Sequence, residues 1–197
     1  DFNLMAGLPK TIEESVRVIA AGQTRQIDAG QVNERFFINN SAAAMEPMVT
    51  LENIKMKRLS GEVRYIVALL RALAKLKPWQ MSLTWDGGGY EGPAYLLSVC
   101  NSARTGGFMM APGALLDDGF LDMVFAPQVS KGQVINILLK LMRGEHIHHP
   151  AVTFQRVTAI DVISRPGTPL HSDGEIFAEA AEVVRYRVLP GRVRLLS

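Results

Sequence analysis

From residue 153 to its end, the chain is a succession of strand-like runs at short spacing, and this stretch restricts the fold more than any other. Residues 153–164, 169–172, 181–189 and 192–196 are rich in β-branched and alternating apolar side chains, and turn-forming residues separate them. The same texture appears upstream. Residues 25–29 and 35–40 read as short strands around a polar turn at 31–34. Residues 80–85 and 94–100 form a hairpin signature around Asp86-Gly87-Gly88-Gly89, and residues 120–126 form a further strand. Three helices interrupt the pattern. The first opens on the capping box Thr11-Ile12-Glu13-Glu14, carries the stripe Ile12, Val16, Ile19 and Ala20, and stops at Gly22. The second spans residues 57–77, with Ser60 as its N-cap, and ends at Pro78. The third spans residues 134–142 and closes at Gly144. Many short strands with few helices predict a mainly β fold, a β-sandwich with helical insertions.

The bulk properties narrow the function. A chain of 197 residues buries a real core and makes one domain, or one domain with a remnant of another. A formal net charge of +2 gives no argument for nucleic acid as a partner. The single cysteine, Cys100, excludes an internal disulfide, and its apolar surroundings point to a buried, inert thiol. No run reaches the roughly 18 apolar residues of a membrane span. The chain starts at Asp1 and moves almost directly into a helix, so a true N-terminus is expected upstream.

Two acidic glycine turns carry the candidate chemistry. In Leu115-Leu116-Asp117-Asp118-Gly119-Phe120-Leu121-Asp122, a glycine turn lets backbone carbonyls on both sides of one carboxylate converge on one point. Asp118 with the carbonyls of Leu115 and Phe120 is an oxygen set suited to Mg²⁺. The octet alone also reads as a plain Asp-Gly turn before a strand. In Ser172-Asp173-Gly174-Glu175, a glutamate on a tight turn can project into a cleft as a general base, or simply be a charged hairpin turn. Asp28 is a charge inside an apolar strand, facing either solvent or a polar cleft. His146 and His148 would share a face on a strand but have no third ligand, and a polar loop after a helix is the better reading. Residues 101–107 follow a strand and could approach phosphate through backbone N–H groups, but they form no Walker loop.

The order of these blocks resembles one family. Asp1-Phe2 followed by Ala6-Gly7-Leu8-Pro9, then Ile27-Asp28-Ala29-Gly30, Asn101-Ser102, Gly106-Gly107, Ala111-Pro112, Asp118-Gly119, Leu121-Asp122, Arg143-Gly144-Glu145-His146 and Asp173-Gly174-Glu175 are similar to the bacterial diacylglycerol kinase and lipid kinase family, which includes sphingosine and ceramide kinases. Departures are Asn3 for a usual alanine, Thr105 for the first of three common glycines, and Ser172 for a frequent leucine. The resemblance implies that residues 1–22 are a remnant of an α/β nucleotide-binding domain and residues 23–197 the C-terminal β-sandwich domain. The family's Gly-Gly-Asp-Gly-Thr nucleotide motif does not occur in this sequence.

The implied activity is transfer of the γ-phosphoryl group of ATP, with Mg²⁺, to a hydroxyl of a diacylglycerol-like lipid. By resemblance, Glu175 takes the hydroxyl proton. Asp28 and Asp1 belong to an acidic network reaching nucleotide-bound Mg²⁺, and Leu115, Asp118 and Phe120 hold a separate Mg²⁺. ATP is expected mainly on the other domain, so this chain alone is expected to be inactive. The implied location is cytoplasmic, at the inner face of the membrane where the lipid substrate lies. Two alternatives stand beside it: a non-catalytic lipid-binding or regulatory module, and a soluble-substrate kinase related to NAD kinase.

Overall fold

The computed structural model describes residues 1–56 and 61–197, and side chains outside residues 61–66. Two helices come first, α1 (Phe2–Met5) and α2 (Ile12–Ala21). Strands β1 (Thr24–Val32), β2 (Arg35–Phe37) and β3 (Asn40–Ala44) lead into helices α3 (Met45–Lys55) and α4 (Gly61–Ala74). Then come β4 (Trp79–Trp85), β5 (Gly88–Cys100), β6 (Leu121–Pro127), α5 (Lys131–Leu141), a 3₁₀ turn at His146–His148, β7 (Thr153–Val157), β8 (Ala159–Ser172) and β9 (Glu175–Leu196). The fold is mainly β with helical insertions.

The strands lie in the order β2-β1-β9-β8-β3-β5-β6-β7. β3 and β4 each pair with both β5 and β8, at opposite ends of those long strands. The register slips between Ala94 and Leu96 on β5, and between Ile163 and Thr168 on β8, close to where each strand changes partner. Bulges of this kind bend a strand and let it pass from one layer to another. The sheet therefore folds over itself, and its apolar faces meet in a core of Phe37, Met81, Leu83, Leu97, Met123, Phe125, Ile160 and Tyr186. Strand β4 shows the simple alternation, with Met81 and Leu83 inward, whereas β6 is buried from Leu121 to Ala126.

Several boundaries differ from the sequence-based expectation, each for a local reason. The expected strand 153–164 breaks at Thr158 because the Asp86 carboxylate draws that corner in. It accepts from Thr158 N–H at 2.7 Å, the Thr158 hydroxyl at 2.6 Å and Ala159 N–H at 3.0 Å. The Asp86 hairpin turn is only two residues long, and Gly88 and Gly89 already pair with Trp85 and Thr84. Gly88 is needed there, since a Cβ would lie 2.7 Å from the Trp85 ring. The run 35–40 splits, with β3 starting at Asn40 beside new partners. Helix α3 was not expected. Its amphipathic pattern is weak, but Pro47 sits in its first turn, where no amide needs an intrahelical acceptor. The expected start at 57–60 of the second helix, with its Ser60 cap, lies outside the described residues.

Candidate functional site

Strands β8 and β9 are joined by Asp173-Gly174, with Ser172 opposite Glu175. Both turn residues have positive φ, 48° and 87°, which is the type I′ geometry that matches strand twist. Aspartate tolerates that strain here because its side chain is fully engaged. The Asp173 carboxylate accepts from the backbone N–H groups of Ile38, Asn39 and Asn40 at 3.0, 2.9 and 3.0 Å, and its own N–H donates to Asn40 O at 2.8 Å. The turn is thus clamped onto the β2–β3 junction. Glu175, by contrast, is exposed and has no partner among the described residues.

Beside the turn lies a cleft of about 340 Å³, lined by Asp1, Phe2, Ile38, Asn39, Asn40, Thr105, Gly106, Asp173 and Gly174. Asp1 is fixed there by Arg104 Nε at 2.9 Å and Gly107 N–H at 2.9 Å. The 101–107 segment does not offer a free row of amides to phosphate. Asn101 and Ser102 N–H donate to Asn39 O, Thr105 N–H donates to Phe108 O, and Gly107 N–H donates to Asp1. A carboxylate occupies the place read from the sequence as an anion cradle.

Asp28 is 2% exposed and does not line that cleft. It sits where β1 bulges between Ile27 and Ala29, and accepts from Gly119 N–H and Gly191 N–H, both at 2.7 Å. Its own N–H donates to Leu116 O at 2.6 Å. Asp28 therefore ties the Asp118 loop to the first and last strands.

In that loop, Asp118 Oδ1 accepts from Phe120 N–H at 3.1 Å, while Oδ2 is buried with no hydrogen bond. Arg156 Nη1 lies 3.4 Å from this oxygen, and its Nε lies 3.9 Å from Asp122 Oδ1. Burial pushes the Asp122 carboxyl up to about 6; Arg156 opposes the rise and Asp118 adds to it. Two carboxylates in one place with an unsatisfied oxygen, on a loop that turns through Gly119 at φ 78°, fit a hard cation held by Asp118 and the Leu115 and Phe120 carbonyls. Arg156, about half exposed, is the group that such a cation has to displace.

A partly buried polar group behind the cleft escaped sequence reasoning. Glu46, at the start of α3, accepts from Asn40 Nδ2 at 2.8 Å and lies 3.2 Å from His171 Nε2. Burial pushes its carboxyl up, but His171, Asn40 and Ser98 outweigh it and hold it below the ordinary value. Asn40 Oδ1 in turn accepts from the Thr105 hydroxyl at 2.9 Å. The available signal was a glutamate two residues after a run of small residues. Elsewhere, His146 is buried with Nε2 2.9 Å from Met110 O, and among the described residues no three metal-ligating side chains cluster. Cys100 is buried, and burial pushes its thiol far up, so it is no nucleophile.

A family profile described as "YegS C-terminal NAD kinase beta sandwich-like domain" matches residues 41–197. The chain belongs to this family. Curated relatives of this domain include diacylglycerol kinases of Staphylococcus aureus strains RF122 and JH9, each 29% identical over 177 residues and covering 89% of this chain. The chain spans about half the length, 56%, of these relatives. Among solved structures, a putative diacylglycerol kinase from Bacillus anthracis aligns with a TM-score of 0.73 at 20% identity, covering 100% of this chain and 64% of that one. An NAD kinase from Archaeoglobus fulgidus in complex with ATP aligns at 0.51 and 9% identity, covering 96% and 62%. At these identities, the two structures show the fold alone. The domain is thus a kinase-family β-sandwich, and no described helix is long and apolar enough to cross a membrane.

Proposed function

We propose that this domain is the C-terminal part of an ATP- and Mg²⁺-dependent lipid kinase that phosphorylates a hydroxyl of a diacylglycerol-like lipid. One observation carries the reading: the cleft that joins Asp1 to the Asp173-Gly174 turn, with an unpartnered Glu175 on the next residue. The clamp on Asp173 holds the backbone from which Glu175 projects. In the reaction, the lipid hydroxyl oxygen bonds to the γ-phosphorus as the bond from that phosphorus to the β,γ-bridging oxygen breaks. Glu175 takes the hydroxyl proton, and the leaving oxygen stays on ADP. Such transfers depend on positioning and charge neutralisation more than on covalent help.

Asp1, held by Arg104 and Gly107, stands at the cleft wall and belongs to the acidic network on the nucleotide side. Asp28 acts through its grip on Gly119 and Gly191, positioning the Asp118 loop. Leu115, Asp118 and Phe120 hold a Mg²⁺ that neutralises this acidic loop. ATP belongs mainly to the other domain, and residues 1–22 go with that domain. In support, the apolar side chains Ile12, Val16 and Ile19 of α2 are 86%, 57% and 63% exposed here. The work of the kinase is at the inner, cytoplasmic face of the membrane, where its lipid lies.

The test is transfer of γ-labelled phosphate from ATP to diacylglycerol in mixed micelles, by the kinase that carries this domain. Labelled phosphatidate is expected. Label entering NAD instead of lipid would overturn the lipid reading in favour of a soluble-substrate kinase.

A further inference from the structure

Helix α5 is firmly started and poorly covered. A capping box fixes its first turn, with Gln133 N–H donating to Ser130 Oγ at 3.3 Å and Ser130 N–H to Gln133 Oε1 at 3.1 Å. Most residues from Val134 to Met142 are apolar, yet no residue of the helix is buried. Leu141 packs on the cluster that contains Met110 and Ala111, while Ile135, Leu139 and Met142 are 57%, 60% and 70% exposed. With about 100° of rotation per residue, those three fall within about 60° of one another, and Lys131 and Arg143 stand one at each border of the stripe. Both cations are exposed and take no ion pair among the described residues. No acidic residue occurs from Lys131 to Gly144; Glu145 follows the helix. An apolar stripe between unpaired cations, in a helix without anions, matches a surface that is negative outside and apolar beneath, which is an anionic bilayer. Eleven residues rise about 16 Å, so such a helix lies in the interface and does not cross it.

We propose that α5 is the membrane-docking element of this domain. It lays Ile135, Leu139 and Met142 into the acyl border of an anionic phospholipid bilayer and sets Lys131 and Arg143 against lipid phosphates. This rests on the lipid kinase reading, which puts the acceptor hydroxyl at a bilayer. The C-terminal end of α5 leans on the segment that forms one wall of the cleft. A Cβ on Gly144 would lie 3.4 Å from Met109 Cβ, and His146 Nε2 is 2.9 Å from Met110 O. That segment begins with Thr105 and Gly106, which line the cleft. The docked helix thereby holds the cleft wall close to the lipid. The strands that α5 joins, β6 and β7, lie at the other end of the strand order from β1, into which α2 leads.

The experiment uses the kinase that carries this domain and two kinds of vesicle: phosphatidylcholine alone, and phosphatidylcholine with an equal part of phosphatidylglycerol. The wild type is expected to sediment with the mixed vesicles in preference to the neutral ones. The double variant Ile135→Gln, Leu139→Gln keeps helix propensity and should lower the partition coefficient by about tenfold or more. The double variant Lys131→Gln, Arg143→Gln should lower it by about fivefold per charge on mixed vesicles and leave neutral vesicles unaffected. Both variants should turn over a water-soluble short-chain diacylglycerol as the wild type does, and a long-chain one in mixed vesicles more slowly. Equal binding by the wild type and the Ile135→Gln, Leu139→Gln variant, or equal binding to the two kinds of vesicle, overturns the proposal. So does a clear fall in melting temperature of the complete kinase in that variant, which would mean that another part of the kinase covers the stripe. Dissociation of an oligomer in that variant would likewise overturn it in favour of a second copy. If neither diacylglycerol is phosphorylated, the lipid kinase reading fails and sedimentation alone decides. Binding that depends on the stripe then sustains the docking element, and absence of binding removes it.

Discussion

Two carboxylates share the β8–β9 turn and differ in what is left for chemistry. Asp173 accepts three backbone hydrogen bonds, while Glu175 accepts none from the described residues. Replacing Glu175 with glutamine keeps the volume and removes the proton acceptor. General base catalysis contributes on the order of 10²–10⁴-fold, so turnover of the full kinase should fall by that factor. Its melting temperature should stay within a degree or so, because an exposed turn side chain supports no core. Near-normal turnover in a folded Glu175→Gln enzyme would return the residue to an ordinary turn. Asp86 offers a purely structural counterpart. Burial alone pushes its carboxyl up, but the Thr158 and Ala159 donors hold it below its ordinary value of 3.8. A depressed carboxyl stabilises the folded state above the unfolded pKa, and that stability is lost as pH falls through the folded value. Asp86→Ala should therefore cost about 1–2 kcal/mol at pH 7, from its lost hydrogen bonds, and progressively less below pH 4. Urea melts of both proteins at pH 7 and pH 3 give the comparison; an equal gap at both would remove the carboxylate from the explanation.

Among the elements, the loop from Leu115 to Asp122 is the proposed Mg²⁺ site. Mg²⁺ should raise the melting temperature of the protein, since a ligand bound only by the native state stabilises it by mass action. Asp118→Ala should abolish that increment and lower activity together. Identical Mg²⁺ titrations of variant and wild type would leave the loop as a plain Asp-Gly turn. The strand content and the hairpin at Asp173-Gly174 were legible in the sequence, because alternation and turn residues are local signals. The same holds for the Thr11 cap, which accepts from Glu14 N–H at 3.2 Å, and the stop at Gly22 with φ 64°. What could not be read are features set by residues distant in the chain. The break at Thr158 depends on Asp86, the unity of β9 across Pro190 on its pairing with β1, and the start of β3 on the neighbouring β5 and β8. The same limit applied to the site. The family resemblance marked Asp1, Asp28, Asp118 and Glu175, but only the fold separates Asp28, buried at the β1 bulge, from the cleft wall occupied by Asp1. Glu46 was invisible because nothing local distinguishes a partly buried, hydrogen-bonded glutamate from a solvated one at a helix start.

At the scale of the whole molecule, the apolar side chains Ile12, Val16 and Ile19 of α2 are exposed, which is the basis for proposing that this helix goes with the nucleotide-binding side. The domain by itself should transfer no label from ATP to lipid, and restoring the nucleotide-binding half should restore transfer; lipid phosphorylation by the isolated chain would refute that division of labour. Val16→Ser should leave the fold of the isolated domain unchanged, because Val16 is 57% exposed, yet lower the melting temperature of the complete kinase. Equal melting of the complete wild-type and Val16→Ser kinases would place that face in solvent throughout.

Strand β1, so near the beginning, is flanked by β9, with Thr24 opposite Leu196 and Val32 opposite Tyr186. On the ribosome, it therefore emerges long before its neighbour exists. Until residues 186–196 leave the exit tunnel, the edge of β1 that later meets β9 stays open, with Asp28 lacking its Gly191 donor. Non-local pairing of this kind is slow and leaves unpaired edges that invite wrong partners. Loss of residues 186–196 during synthesis would leave that edge open for good, making the nascent chain a client for chaperones rather than a slightly shortened domain.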